Sequence, residues 1–126
     1  MWYNPEVEDI PGLDAVDRAR KAVEAASDKQ ASHIVLLDVR DLCSFADYFV
    51  VCSGESERQL EAIREGIESS LDKDGGRLLH REGEAGSGWL LLDYGDLIVH
   101  VFSAQQRGFF QLDDVWKQAV QLLVVQ

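Results

Sequence analysis

Residues Trp89–Phe102 read WLLLDYGDLIVHVF and form the most apolar run of the chain, although Asp93, Asp96 and His100 lie within it. Aliphatic and β-branched residues on both sides of a Tyr94-Gly95 pair are typical of two strands joined by a tight turn. Aspartate and histidine side chains also bind metals and transfer protons. The stretch therefore predicts a β-hairpin, and it raises the question of whether its polar groups form an active site.

A two-residue turn at Tyr94-Gly95 would place Asp93 opposite Asp96 and Trp89 opposite His100, with side chains alternating between two faces. One face is then aliphatic and suited to lie beneath helices, and it holds Leu90, Leu92, Leu97, Val99 and Val101. The other, called the mixed face below, holds Trp89, Leu91, Asp93, Asp96, Ile98, His100 and Phe102. Aromatic and aliphatic residues with a polar rim are typical of a protein-binding patch, so the mixed face is the leading predicted interaction surface.

The two aspartates of the hairpin leave two interpretations open. Directly opposite aspartates repel each other, and a nearby cation would relieve the repulsion. The cation could be a metal ion, a basic residue of a partner, or an internal arginine such as Arg107. The simpler interpretation is that Asp93 and Asp96 flank a solvated turn, where aspartate is common. His100 is predicted to stack on Trp89 rather than to bind a metal.

Three stretches with helical spacing flank the hairpin. Apolar residues recur every three or four positions from Leu13 to about Ser27, which predicts a first helix. Ser56 and Gln59 form a capping-box signal for a second helix, because the serine can accept a hydrogen bond from an unpaired backbone N–H. The apolar face of that helix holds Leu60, Ile63, Ile67 and Leu71. A C-terminal helix is predicted with an apolar face of Leu112, Val115, Trp116, Ala119, Leu122 and Leu123.

The remaining elements complete a single α/β domain. Strands are predicted at residues 33–39, 48–53 and 77–81, in addition to the two strands of the hairpin. Residues 83–88 contain three glycines and are predicted to be a flexible loop. The order of elements predicts an α/β fold with a mixed sheet of about five strands and flanking helices. Residues 1–12 contain both prolines and are predicted to be an irregular arm before a domain at 13–126.

The charge balance disfavours several classes of function. Acidic residues outnumber basic ones 23 to 12, giving a net charge of -11, so phosphate repulsion opposes nucleic-acid binding through the overall field and a basic partner fits better. Cys43 and Cys52 lack a CxxC arrangement and are predicted to be reduced thiols. No secretory signal or run of about 20 apolar residues is present. We therefore expect a cytoplasmic protein that does not contact a membrane.

Enzyme motifs are weak or absent. The chain has no HExxH, CxxC, P-loop or GxSxG, and the DYGD spacing of Asp93 and Asp96 differs from the alternate-residue pair that nucleotidyltransferases commonly use for Mg²⁺. Glu55 and Glu57 follow Ser53-Gly54 at a helix N-terminus and oppose a triphosphate there. We predict no catalytic residue, metal site or cofactor. The alternative is a Mg-dependent nucleotidyltransferase-like enzyme using Asp93 and Asp96.

Several stretches, in the same order along the chain, resemble the ribosomal silencing factor family, RsfS, also called Iojap-like proteins. They are ADYFVVCSGESERQLEAI at 46–63, Glu82-Gly83 followed by WLLLDYGDLIVHVF at 89–102, and RGFFQLDDVW at 107–116. The resemblance covers about residues 13–118 and implies a mixed α/β fold similar to nucleotidyltransferases, without demonstrated transferase chemistry. It further implies a protein that binds the large ribosomal subunit through its fourteenth protein, blocks joining of the small subunit and thereby represses translation.

The resemblance and the hairpin geometry together give a predicted partner-binding site. It consists of Trp89, Leu91, Asp93, Tyr94, Asp96, Ile98, His100 and Tyr48. An acidic chain fits such a partner because ribosomal proteins are generally basic. The expected mechanism is steric and needs no catalytic group. A homodimer is the other partner that the resemblance implies, and direct sequence-specific binding to nucleic acid is not expected.

Overall fold

The computed structural model describes residues 14–110 and 119–125. The helices are α1 at Ala15–Asp28, α2 at Glu57–Lys73 and α3 at Ala104–Phe110, with a 3-10 turn at Ala85–Ser87. The strands are β1 at Ser32–Asp38, β2 at Tyr48–Gly54, β3 at His80–Glu84, β4 at Trp89–Asp93, β5 at Leu97–Ser103 and β6 at Val120–Val125. The predicted arm at residues 1–12 lies outside the described residues.

One sheet contains all six strands of the described residues, in the order β3-β4-β5-β2-β1-β6. The central strands β2 and β5 run parallel, and the other neighbouring pairs are antiparallel. The predicted mixed α/β sheet is confirmed, with six strands where about five were expected.

The additional strand, β6, replaces part of the predicted C-terminal helix. Ala119, Leu122 and Leu123 have helical spacing, but residues 120–125 form a strand paired with β1, with Val35 opposite Val124. A continuous run of valine and leucine fits either type of element, and β1 has an edge whose backbone N–H and C=O groups need partners. The helix prediction is therefore wrong for residues 120–125, while Leu112, Val115 and Trp116 lie outside the described residues.

The third strand begins later than the sequence predicted. It covers His80–Glu84 instead of 77–81 and pairs with β4. Consequently the segment predicted as a flexible loop at 83–88 is ordered: its first two residues belong to β3 and a 3-10 turn follows. Gly83 has a φ of 84°, and a Cβ there would lie 2.2 Å from the carbonyl oxygen of Trp89. The glycine allows the two strands to approach closely.

Helices α1 and α2 pack together and against one face of the sheet. The apolar face predicted for the second helix is buried there, as is the aliphatic face of the hairpin; these residues are Leu60, Ile63, Ile67, Leu71, Leu90, Leu92, Leu97, Val99 and Val101. A second apolar cluster occupies the opposite face and includes Val35, Phe49, Val51, Ile98 and Phe102. The sheet is thus apolar on both sides, and only one side carries the long helices α1 and α2.

The predicted cap of α2 is confirmed, with one difference in its partners. The Ser56 hydroxyl accepts a hydrogen bond from the backbone N–H of Gln59 at 3.1 Å. The Gln59 side-chain oxygen accepts from the N–H of Glu55, one residue before the cap. Its amide nitrogen donates to the carbonyl groups of Lys29 and Gln30. Gln59 therefore joins the start of α2 to the connection between α1 and β1.

Candidate partner-binding site

The β4–β5 turn differs from the two-residue turn that the sequence predicted. The backbone N–H of Tyr94 donates to the carbonyl of Leu97, so Gly95 and Asp96 are the central residues. Gly95 has a φ of 90°, the left-handed conformation that glycine adopts readily in hairpin turns. Trp89 therefore lies opposite Phe102, where the predicted register paired it with His100. Because the register moved by two residues, the strand residues keep their predicted faces.

The mixed face exists on the side of the sheet away from α1 and α2, although Asp96 does not belong to it. Its cross-strand pairs are Trp89 with Phe102, Leu91 with His100, and Asp93 with Ile98. The three residues of β4 are half-buried, whereas the three residues of β5 are buried. The face therefore presents a partly exposed row of Trp89, Leu91 and Asp93, called the exposed row below, beside a buried supporting row.

Three of the eight predicted site residues lie on or toward the helix-covered side. Tyr48 and Tyr94 are buried in the cluster beneath the helices. Burial, together with the nearby carboxylates of Glu68 and Asp72, raises the pKa of Tyr94 to about 12, so its phenol is neutral at pH 7. Asp96 lies in the turn and faces α1. The resemblance and the predicted hairpin geometry grouped these residues with Trp89, and the fold separates them from it.

An internal arginine binds Asp96, but it is Arg18 of α1. Its two terminal nitrogens donate to the two carboxylate oxygens at 3.2 and 2.7 Å. Asp93 instead accepts a hydrogen bond from the backbone N–H of Gly95 at 2.8 Å, and it is not opposite Asp96. The predicted repulsion across the turn is therefore absent, and the two carboxylates have separate structural partners.

Arg107 was one candidate for the cation near Asp93 and Asp96, but in the structure it contacts β1 and β2 instead. It is buried, and its guanidinium donates to the Ser53 hydroxyl at 3.0 Å and to the carbonyl oxygen of His33. His33 has a φ of 52°, unusual for a residue with a side chain, where the pairing of β1 with β2 is irregular. Arg107 therefore fixes the start of α3 against β1 and β2.

His100 is part of an aromatic row under the mixed face. Its ring lies 6.4 Å from the ring of Trp89 and 6.0 Å from that of Phe102, stacked in both cases, and 5.1 Å from Phe49 at an edge. The Trp89 indole N–H donates to Nδ1 of His100 at 3.4 Å, which leaves the proton of a neutral imidazole on Nε2. Burial lowers the pKa of His100 to about 4. The predicted stacking of His100 on Trp89 is confirmed.

The aromatic row continues through Phe49 to Phe45, and neither residue was predicted from the sequence to belong to the site. The ring centroids of Phe49 and Phe45 lie 6.3 Å apart. Phe45 belongs to the connection between β1 and β2 and is exposed. The alternation of Phe49 and Val51 along β2 could have placed Phe49 on the mixed-face side. Phe45 has no such signal, because it lies in irregular sequence. Its position depends on how the connection folds over the sheet.

The described residues contain no group of three histidine, cysteine or carboxylate side chains that could hold a metal ion.

Both cysteines are unpaired, and burial raises the pKa of Cys52 to about 12, which makes it a poor nucleophile. The N-terminus of α2 is capped by its own side chains, and Glu55 and Glu57 are exposed beside it. Asp93 and Asp96, the carboxylates of the Mg-dependent alternative, are held by different partners, the Gly95 N–H and Arg18. In residues 14–110 and 119–125, none of the helices has both the length and the hydrophobicity of a transmembrane span.

Comparison with known proteins gives one consistent family. Residues 13–126 match the family model described as "Ribosomal silencing factor during starvation", RsfS. A ribosomal silencing factor of Bacillus subtilis is 37% identical over 98 residues, which are 78% of this chain and 83% of that protein. A second, from Halalkalibacterium halodurans, is 35% identical over 98 residues, 78% of this chain and 84% of that protein.

A solved structure supports the same grouping at the level of the fold. The crystal structure of a Chromobacterium violaceum protein superposes with a TM-score of 0.80 at 28% identity, covering 83% of this chain and 88% of the other. The family-model match at residues 13–126 includes the hairpin and the strands on which the mixed face is built. This chain belongs to the RsfS family of ribosomal silencing factors.

Proposed function

We propose that this protein is a non-catalytic factor that binds the large ribosomal subunit through the subunit's fourteenth protein, blocks joining of the small subunit and represses translation. The observation that carries the proposal is the exposed row of Trp89, Leu91 and Asp93, in a chain of the RsfS family. A binding factor of this kind acts by occupying a surface, so it needs a rigid, complementary face and no reacting group.

The mixed face has the construction that such a contact requires. Trp89 is the aromatic residue of the exposed row, and aromatic anchors of this kind are frequent among the residues that dominate binding. Its ring is fixed by stacking on His100 and Phe102 and by the indole hydrogen bond. Because the side chain is already ordered, little conformational entropy is lost when a partner packs on it.

Charge favours a basic protein as the partner. The net charge of -11 attracts lysine- and arginine-rich surfaces and repels exposed phosphates. Asp93 lies at the end of the exposed row, where one carboxylate oxygen is used by the Gly95 N–H. A carboxylate can accept several hydrogen bonds, so Asp93 can also pair with a basic side chain of a ribosomal protein.

Sedimentation with purified ribosomal subunits tests the proposal. The protein should migrate with large subunits and should reduce the formation of complete ribosomes when small subunits are added. Trp89→Ala should weaken binding by about 10-fold or more, because a central aromatic contact is removed. Leu123→Ala is the matched control: Leu123 is also partly exposed but lies on β6, at the far edge and opposite Leu36 of the helix-covered face.

Two outcomes would refute the proposal. One is binding to small subunits only, and the other is co-migration with large subunits that leaves subunit joining unaffected. Circular dichroism of each variant separates a binding defect from loss of the fold. If Trp89→Ala and Leu123→Ala bind equally well, Trp89 is not in the contact, and the role proposed here for the exposed row fails.

Two further parts of the proposal concern organisation. We propose that residues 1–12 form an arm outside the binding domain at 13–126, and that the protein also forms a homodimer. Light scattering over a range of concentrations tests the dimer, since a constant monomer mass would exclude it in that range. Removal of residues 1–12 should leave subunit binding unchanged if the domain boundary is correct.

A further inference from the structure

The connection between β1 and β2, residues 39–47, has a fixed shape. The backbone N–H of Val39 donates to the carbonyl of Asp47 and closes the connection, and the N–H of Leu42 donates to Val39. The side chains of Val39 and Ala46 are buried in the cluster on the mixed-face side of the sheet. Both ends and the side chains of Val39 and Ala46 are held, and Cys43 packs against the same cluster, whereas the other residues of the connection are exposed.

Two of those remaining residues are large and apolar. Phe45 is 64% exposed and Leu42 is 42% exposed. Single exposed apolar residues are common, but here two lie in one short connection that is already anchored to the core. Phe45 also reaches the aromatic row through Phe49, at a centroid distance of 6.3 Å. Phe45 is therefore contiguous with the support of the mixed face, and Leu42 lies three residues before it in the same connection.

Two acidic residues in the same connection lack ion pairs among the described residues. Asp41 and Asp47 are exposed, and no cation of residues 14–110 or 119–125 lies within salt-bridge distance of either. Nearby acidic groups differ, because Asp38 pairs with Arg40 and Asp96 with Arg18. The connection thus carries two apolar groups and two carboxylates that face solvent, beside Arg40, which pairs with Asp38 and whose charge also acts on Asp47.

The connection is joined directly to the β4–β5 turn. The carbonyl oxygen of Asp96 accepts hydrogen bonds from the N–H groups of Asp47 at 2.8 Å and Tyr48 at 3.1 Å. The same end of the sheet carries Asp93, at the end of the exposed row. A partner that covers Trp89, Leu91 and Asp93 and extends along β4 toward the turn therefore approaches residues 39–47.

We propose that Asp41, Leu42, Phe45 and Asp47, here called the loop surface, form a second contact that takes a basic protein segment bearing an aliphatic side chain. Phe45 and Leu42 would hold the aliphatic group, and the two carboxylates would pair with flanking lysine or arginine side chains. The carboxylates would repel an RNA backbone, and they would repel the same surface on a second copy of this acidic chain. The inference rests on the proposed ribosomal function and extends its contact surface.

Variants of the loop surface test the inference in the intact protein with purified large subunits. Phe45→Ala should weaken binding by about 5- to 20-fold, whereas Phe45→Leu should stay within about 3-fold because it keeps an apolar group. The double variant Asp41→Asn, Asp47→Asn should weaken binding by about 3- to 10-fold at low salt, and less as salt is added. Leu123→Ala and Asp28→Asn are controls, because Leu123, which is 38% exposed, and Asp28 are an apolar and an acidic surface residue outside the loop surface.

A photo-crosslinking residue at position 45 identifies the class of partner. Replacement of Phe45 with p-benzoylphenylalanine retains an aromatic side chain and, on irradiation, should join the protein to a ribosomal protein. Crosslinks only to ribosomal RNA or to a second copy of the chain would overturn the inference. So would Phe45→Ala binding as tightly as Leu123→Ala while Trp89→Ala remains weak, an outcome that leaves the proposed function intact. Absence of binding by the unaltered protein would instead overturn the proposed function, and the inference with it.

Discussion

Replacing Arg18 with alanine should loosen the β4–β5 turn and lower the free energy of unfolding. Arg18 donates two hydrogen bonds to Asp96, and the arginine side chain is 13% exposed whereas that of Asp96 is 39% exposed. Fully exposed ion pairs contribute about 0.2–1 kcal/mol, and hydrogen bonds to charged groups about 1.5–3 kcal/mol. The mixed exposure of this pair places the expected loss between those ranges, at about 1–2 kcal/mol.

A double-mutant cycle isolates the contribution of the pair. Arg18→Ala, Asp96→Ala and the double variant are compared by urea unfolding at pH 7, and the coupling free energy should be about 1 kcal/mol. The single variants should melt about 4–8 °C below the unaltered protein. Lys21 and Asp74 form a matched control pair with a more exposed cation, so their coupling should be smaller. A coupling for Arg18 and Asp96 no larger than that of the control pair would refute the reasoning.

Two further predictions follow from single residues. The pKa of His100 is lowered to about 4 in the folded protein against an ordinary value of 6.5, so the unfolded chain binds more protons between those values. Stability should therefore fall as the pH decreases from about 6.5 to about 4, by up to about 3 kcal/mol; His100→Leu should remove that part of the pH dependence in urea titrations, and an unchanged profile would contradict the assignment. Gly83→Ala should lower the free energy of unfolding by about 2 kcal/mol or more, because Gly83 has positive φ and a Cβ would meet a backbone oxygen. Gly86→Ala, where a Cβ has space, is the control, and equal stability of the two variants would contradict the prediction.

The elements and faces that depend on local periodicity could be predicted from the sequence. The apolar spacing of α1 and α2 is set by neighbouring turns of the same helix, and the capping signal at Ser56 involves residues three apart. The two faces of the β4–β5 hairpin follow from alternation. They survive the incorrect turn because the register shift is an even number of residues.

The parts that failed depend on contacts between distant segments. Arg18 and Asp96 are 78 positions apart in the chain, and nothing near Asp96 indicates which arginine reaches it. The choice of strand for β6 is made by the open edge of β1, which lies far away in sequence. Tyr48 lies on the same face of β2 as Val50 and Cys52, and Tyr94 follows β4 in the turn; both are buried in the helix-covered cluster, so neither belongs to the exposed row. Exposure of Phe45 likewise depends on the folded connection.

The mixed face can form only after β5 has been synthesised, because β2 and β5 pair in parallel at the centre of the sheet. The two strands are separated along the chain by α2, β3 and β4, so their contacts are non-local and are expected to form slowly. Phe49 comes from one of these strands and His100 from the other. When β2 has left the ribosomal exit tunnel but β5 has not, His100 and Phe102 cannot yet support Trp89. The cluster that buries Val39 and Ala46 of residues 39–47 is also incomplete. Only a protein that has completed its central pairing should therefore reach the ribosome as a competent ligand.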